Sequence, residues 1–347
     1  MNKEKQYLSI SDLGEFGLIK HLTEKIQIKN SSTIKGVGDD AAVISCPDKQ
    51  LVVTTDLLLE GVHFDLMYTP LKHLGYKAVV VNLSDVYAMN AQPKQITVSV
   101  GISSKITLDM LEEFYSGIYL ACEKYGVDLV GGDTSTSLTG FTISITAIGE
   151  AASEEIVYRN GAQENDLICV SGDLGGAYLG LLLLEREKEV FKVNPNAQPD
   201  FKDHEYVLER LLKPEARKEI ITHLKELGIK PTSMIDISDG LSSELIHICQ
   251  NSHCGCKIFL ERIPVDIDTG RVAEMFNIEP MTCALNGGED YELLFTVPIE
   301  YHDIIRGNLN FTVIGHITSA SEGMMAVSSS GSLIELKAQG WNAFLKQ

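Results

Sequence analysis

Carboxylates recur in this chain at the ends of apolar, β-branched or glycine-rich runs, and this limits the folds open to it. Asp39 and Asp40 follow Gly36-Val37-Gly38, Asp56 ends Leu51–Thr55, and Asp85 ends Val79–Ser84. Asp133 follows Asp128–Gly132, and Asp236 and Asp239 stand in Ile235-Asp236-Ile237-Ser238-Asp239-Gly240. Each acid reads as sitting at a strand end or in a tight turn, where aspartate is common for local reasons alone. A fold that gathers so many acids from distant segments must neutralise them. Hard divalent cations take oxygen ligands, and Mg²⁺ typically combines one or two carboxylates with substrate phosphates. The pattern points to a nucleotide site with several metal ions.

At 347 residues the chain is long for one core, so two domains are expected. The net charge of −19 disfavours nucleic acid, whose phosphates need Lys and Arg, but not a small phosphorylated ligand held through metal. No apolar stretch reaches the ~20 residues that span a bilayer, and no signal-type region follows Met1–Lys5. A cytoplasmic protein without a membrane partner is expected. Seven cysteines are scattered, mostly in apolar surroundings, and read as buried thiols. His253-Cys254-Gly255-Cys256 could be a soft-metal site, but it lacks the paired spacing of a zinc site.

Helical spacing predicts helices over Ser11–Lys25, Leu71–Met89, Leu108–Tyr125 and Ala177–Glu189, near Tyr206–Leu212 and Ala216–Leu227, and over Leu241–Cys249. Strands are expected at Ala42–Ser45 and Gln50–Thr55 around a turn at Asp48-Lys49, and at Ile96–Ile102, Phe141–Glu150, Asp166–Ser171, Glu292–Val297 and Phe311–Ile317. Strands and helices alternate without a repeating βα unit. The expected class is therefore α+β (mixed α/β) in two domains, 1–152 and 153–347, divided at the polar Ala151–Glu155.

No Walker A motif is present. Gly36–Ala41 matches G-x-G-x-x-A, but it brings two carboxylates and precedes strands rather than a helix. Gly172–Gly176 precedes a helix and reads equally as a tight packing turn or a phosphate contact.

In order along the chain, Gly14–Ile19, Gly36–Val43, Thr54–Phe64, Gly75–Asp85, Gly131–Ser135, Ile235–Leu241 and Gly287–Leu293 together resemble the thiamine-monophosphate kinase family. The resemblance runs from about Leu13 to Phe344. Its wider superfamily includes aminoimidazole ribonucleotide synthetase, selenophosphate synthetase and a carbamoyl dehydratase of hydrogenase maturation. The resemblance implies Mg²⁺-dependent transfer of the ATP γ-phosphoryl group to thiamine monophosphate. It also implies an amino-terminal ATP- and Mg²⁺-binding domain whose sheet forms a β-barrel across a homodimer, and a carboxy-terminal mixed α/β domain.

By motif, Asp40, Thr54, Thr55, Asp56, Asp85, Asp133, Asp236 and Asp239 would hold several Mg²⁺ ions. Gly132, Asp133, Arg159 and Ser238 would touch ATP, and His63, Glu289 and Trp341 the thiamine compound. No general base is assigned, because a phosphate acceptor needs none. Read from the residues alone, His63 could equally be a packed structural histidine, Arg159 a surface arginine, Trp341 a tail anchor and Glu289-Asp290 a turn. Where the family reads Ala-Met-Gly, this chain has Ala88-Met89-Asn90, and Asn also tolerates the left-handed backbone that Gly supplies. Two alternatives stand beside this reading: another ATP-using enzyme of the superfamily, such as aminoimidazole ribonucleotide synthetase, and a non-catalytic cation- or nucleotide-binding module. Selenophosphate synthetase carries a reactive residue near its amino terminus, and the first cysteine here is Cys46. The dehydratase ends in cysteine, and this chain ends in Gln347.

Overall fold

The structure, a computed structural model, describes residues 31–35 and 38–339. The expected helix over Ser11–Lys25, the Gly36-Val37 step and Trp341 lie outside the described residues. The described chain is a mixed α/β structure with two sheets.

The first sheet has six strands: β1 (Thr33–Lys35), β2 (Ala42–Cys46), β3 (Lys49–Leu59), β4 (Gln92–Ile102), β5 (Asp128–Thr136) and β6 (Thr142–Ala151). Their order is β1-β2-β3-β6-β4-β5, with only the β4–β5 pair parallel. Period-two alternation buries Ile96, Val98 and Val100 of β4 and Ile143, Ile145 and Ala147 of β6 on one face. Helices α1 (Leu71–Ala88) and α2 (Leu108–Tyr125) cover that face. They approach closely at two glycines. A Cβ on Gly75 would lie 1.9 Å from the Phe114 carbonyl oxygen, and one on Gly117 1.9 Å from that of Lys72. Thr107 caps α2, accepting from the Met110 amide at 3.3 Å, and Gly126 ends it at φ +69°. Asn90, after α1, has φ +55°, the left-handed turn expected of it.

The second sheet comprises β7 (Leu167–Ser171), β8 (Ser233–Asp236), β9 (Gly255–Phe259), β10 (Leu293–Val297), β11 (Phe311–Thr318), β12 (Met324–Val327) and β13 (Leu333–Glu335). Its order is β13-β12-β9-β11-β7-β10-β8. β7 and β10 are buried at every position, as their continuous apolar sequences require. The remaining α-helices among the described residues are α3 (Gly176–Val193), α4 (Glu205–Leu212), α5 (Lys218–Glu226), α6 (Leu241–Ser252), α7 (Ile267–Met275), α8 (Pro280–Asn286) and α9 (His302–Ile305). α6 and α5 contribute to separate apolar clusters built on this sheet. Cys249 of α6 and Cys256 of β9 are buried in the first of these, with Cys254 packed against it. α1 joins the sheets: most of it packs in the core of the first, Ala88 belongs to the cluster with α5, and Ser84 bonds to Asp236 of β8. Among the described residues no helix is long and apolar enough to cross a membrane.

Two of the acids, Asp56 in β3 and Asp133 in β5, sit inside strands rather than at their ends, while Asp85 lies within α1, the helix expected over Leu71–Met89, and not at a strand end. β3 runs past Asp56 because that residue pairs with Ile145 while its N–H bonds to Asn82 Oδ1 of α1 at 3.0 Å. Asp133 pairs with Ser99 along the parallel β4–β5 ladder, and Asp85 continues a buried helical face. Asp39-Asp40, Asp236 and Asp239 are at the bends and strand end expected.

Candidate active site

Asp40, Asp85 and Asp236 each bring a carboxylate oxygen within 4.8 Å of the other two. They arrive from the bend before β2, from α1 and from the end of β8. The local sequence explains the convergence. Alternation along β3 turns Val52, Thr54, Asp56 and Leu58 toward α1, and Thr54 Oγ1 donates to Asp85 Oδ2 at 2.6 Å. Ser84 Oγ donates to Asp236 Oδ2 at 2.6 Å. Arg159 grips Asp40 with two bonds of 2.8 Å, Nε to Oδ2 and Nη2 to Oδ1. The Arg159 carbonyl accepts from Ser233 Oγ at 3.0 Å and Ser252 Oγ at 3.2 Å, which fastens it to the second sheet and to α6.

One arginine against this many acids leaves the site short of positive charge. Burial first, then repulsion from Asp56, Asp236 and Asp40, holds the Asp85 carboxyl well above the ordinary carboxylate range. Burial, then Asp40, pushes Asp236 up to about 7. Asp56 is half-buried by area but hemmed by protein, and burial pushes it up to about 6. Asp39 also rises to about 6, through burial and then Asp40. Carboxyls raised together by burial and, after it, by one another's charge are poised to release protons when a cation arrives.

Asp56, Asp85 and Asp236 open onto a cavity of about 150 Å³, lined also by His63, Ser238, Glu289 and Tyr291. The Leu59 N–H donates to His63 Nδ1 at 3.1 Å, so Nε2 carries the proton of the neutral ring. Burial lowers the pKa of His63, with Glu289 opposing. Glu289 stands in the bend 287–291, where Gly288, Glu289 and Tyr291 all have φ between +52° and +72°. The bend is fastened by the Glu289 N–H to Ser238 O at 2.7 Å and the Tyr291 N–H to Ile237 O at 2.8 Å. A larger groove, about 640 Å³, is lined by Lys124, Glu215, Arg217 and His223 and includes none of these acids.

Asp239 lies three residues beyond Asp236, at the start of α6. Gly132 and Asp133 are exposed on the edge strand β5, outside the trio of acids. Thr55 faces the opposite side of β3 from Thr54, its hydroxyl donating to the Ile145 carbonyl at 3.0 Å. The N-terminus of α3, read from sequence as a packing turn or a phosphate contact, is occupied by a side chain: Asp290 accepts from the Gly175 N–H at 2.8 Å. Several site residues escaped the sequence reading. Asn82 and Ser84 hold Asp56 and Asp236. Lys77 bonds Glu289. Buried Glu244 accepts from the Asp239 N–H at 3.0 Å, and its other oxygen has no hydrogen-bond partner among the described residues. The signal available was polar residues inside an apolar helical run, Val79-Val80-Val81-Asn82-Leu83-Ser84.

Two sheets joined by a seam helix and an oxygen-only acid cluster define the class, and residues 38–151 match the family of AIR synthase related proteins, N-terminal domain. Thiamine-monophosphate kinase of Aquifex aeolicus is 36% identical over 337 residues, covering 97% of this chain and 100% of that protein. That of Buchnera aphidicola subsp. Schizaphis graminum is 36% identical over 345 residues, covering 96% and 100%. The solved structure described as AaThiL complexed with AMPPCP and TMP superposes with a TM-score of 0.83 at 33% identity, covering 98% of this chain and 100% of that one. The chain belongs to the thiamine-monophosphate kinase family.

Proposed function

We propose that this protein phosphorylates thiamine monophosphate with ATP, releasing thiamine diphosphate and ADP. The observation that carries the reading is the convergence of Asp40, Asp85 and Asp236 beside a cavity that also presents His63 and Glu289. An all-oxygen donor set of crowded carboxyls suits Mg²⁺. Asp40, Asp85 and Asp236, with Thr54, Asp56 and Asp239 near them, would hold several ions. Bound Mg²⁺ supplies neutralisation of the phosphate charges during in-line transfer. Thr55 and Asp133 stand apart from the trio within one chain.

The chain's own residues have separable tasks. Arg159, held from three sides, presents a fixed guanidinium beside the acids, and with Gly132, Asp133 and Ser238 it would contact ATP. His63, through Nε2–H, and Glu289 would orient the thiamine compound, with Trp341 as a third contact. The acceptor is a phosphate oxygen that is already ionised, so no residue need remove a proton from it. Catalysis is then positioning and charge neutralisation.

We further infer two domains, 1–152 and 153–347, each centred on one sheet. We also infer a homodimer through the outer face of the first sheet. That face carries Thr55, Leu57, Ser144 and Thr146, beside an edge strand, β5, exposed along nearly its whole length; pairing there would close a barrel across two chains. The working compartment is the cytoplasm. A coupled ADP-release assay tests the activity: turnover is expected with thiamine monophosphate and not with the ribonucleotide substrate of aminoimidazole ribonucleotide synthetase. The reverse preference, or no turnover with either, would refute it.

A further inference from the structure

Lys77 has no part in the activity as described so far, yet it is a buried cation at the edge of the site. It is 4% exposed, on α1. Positions 77, 81 and 85 lie at i, i+4 and i+8, along one helix face, and Val81 and Asp85 line the cavity. Lys77 Nζ donates to Glu289 Oε2 at 3.0 Å and to the Leu211 carbonyl at 3.1 Å. Burying an ammonium is unfavourable unless its bonds repay the lost hydration. A methionine would fill the same space at no such cost, so the charge itself calls for a reason.

The partner supplies one. Glu289 sits at φ +57° between Gly288 at +72° and a left-handed Tyr291 two residues on. Side chains rarely adopt such backbone, and it persists where the surroundings over-determine it. Here they do: Ser238 O and Ile237 O take the Glu289 and Tyr291 amides, and Asp290 is held by the Gly175 amide. The bend therefore presents Glu289 at the cavity with a fixed backbone, and its side chain rotates about bonds that only Lys77 restrains among the described residues. One oxygen is pinned and the other is left for a ligand. His63, on the same cavity, feels both charges.

We propose that Lys77 is a positioning residue of the acceptor subsite: it fixes Glu289 Oε2 so that Oε1 receives the hydrogen-bond donors or positive charge of the acceptor. This rests on the reading of Glu289 as an acceptor contact. A purely structural role, tying α1 to the end of α4 through the Leu211 carbonyl, is the competing account.

Steady-state kinetics on the full chain with Mg²⁺ separate the two. Lys77→Met should raise KM for thiamine monophosphate tenfold or more, with KM for ATP within about twofold and kcat within about threefold of wild type. In a Glu289→Gln background, Lys77→Met should cause no further rise. If Lys77→Met does not fold, Lys77→Leu, apolar and likewise unable to donate to Glu289, takes its place with the same expectation. An unchanged KM for thiamine monophosphate, equal rises for both substrates, or full additivity with Glu289→Gln would overturn the proposal. A wild type that turns over no thiamine monophosphate would overturn the function and this inference together, an outcome distinct from a working wild type that ignores the substitution.

Discussion

Replacing Asp236 with Asn should make the metal-free protein more stable while disabling it. Asp236 is 4% exposed and stands within 4.8 Å of two other carboxylates, and burial followed by Asp40 raises its pKa from 3.8 to about 7. From about pH 4 upward the unfolded chain has released a proton that the folded one keeps, so stability falls with rising pH until about pH 7 and is then level. About three pK units at roughly 1.4 kcal/mol each set a ceiling of about 4 kcal/mol. For 347 residues the unfolding entropy is on the order of 0.7 kcal/mol per degree, so the ceiling is about 6 °C. Asn keeps the shape and an oxygen for the 2.6 Å bond from Ser84. In EDTA at pH 8, Asp236→Asn should melt roughly 3–6 °C above wild type by scanning calorimetry. The difference should vanish near pH 4, and kcat should fall by several powers of ten. A variant that melts below wild type at pH 8 in EDTA would refute the reasoning, because the carboxylate would then be held by favourable bonds rather than endured.

Titration calorimetry should give tight ATP binding with Mg²⁺ and little in EDTA, since triphosphate and carboxylates repel; equal affinity in both would contradict the metal assignment. A Cβ on Gly132 would lie 1.8 Å from the Val98 carbonyl oxygen, so Gly132→Ala must pry β5 from β4 and should raise KM for ATP at least tenfold; an unchanged KM would remove that strand from the nucleotide site. Trp341 is the sequence's single tryptophan, and its fluorescence should respond to thiamine monophosphate through contact with the thiazolium cation. Trp341→Ala should raise KM for that substrate by one to two powers of ten, and a silent fluorophore with unchanged KM would make it a tail anchor.

The long helices were legible because their apolar spacing is regular: Leu108–Tyr125 matches its expectation end to end, and Leu71–Met89 overruns by a single residue, whereas the short helices Ile267–Met275, Pro280–Asn286 and His302–Ile305 were not. The hairpin around Asp48 and the bends at Asp39-Asp40 and Asp239 were legible from turn chemistry. β5 was not, because a strand exposed at nearly every position, with two glycines, has no alternation to read. Thr55 was drawn from family motif, whereas period two alone separates it from Thr54 and Asp56. The partnerships of Lys77 with Glu289 and of Glu244 with the Asp239 amide depend on how α1, α6 and the 287–291 bend pack together, which no local pattern encodes.

One rigid rod, α1, carries both Lys77 and Asp85. Eight residues at 1.5 Å each place these positions about 12 Å apart along the helix axis. Glu289 is pinned at the first of them and the acid trio gathers at the second. If Glu289 holds the acceptor's ring system and the acid trio marks where its phosphate reacts, the helix sets the spacing between the two. It measures length rather than chemical identity, so an acceptor analogue with a shortened arm between ring and phosphate should still compete for binding yet be phosphorylated slowly. Equal turnover of short and full-length acceptors would mean that this spacing is not read.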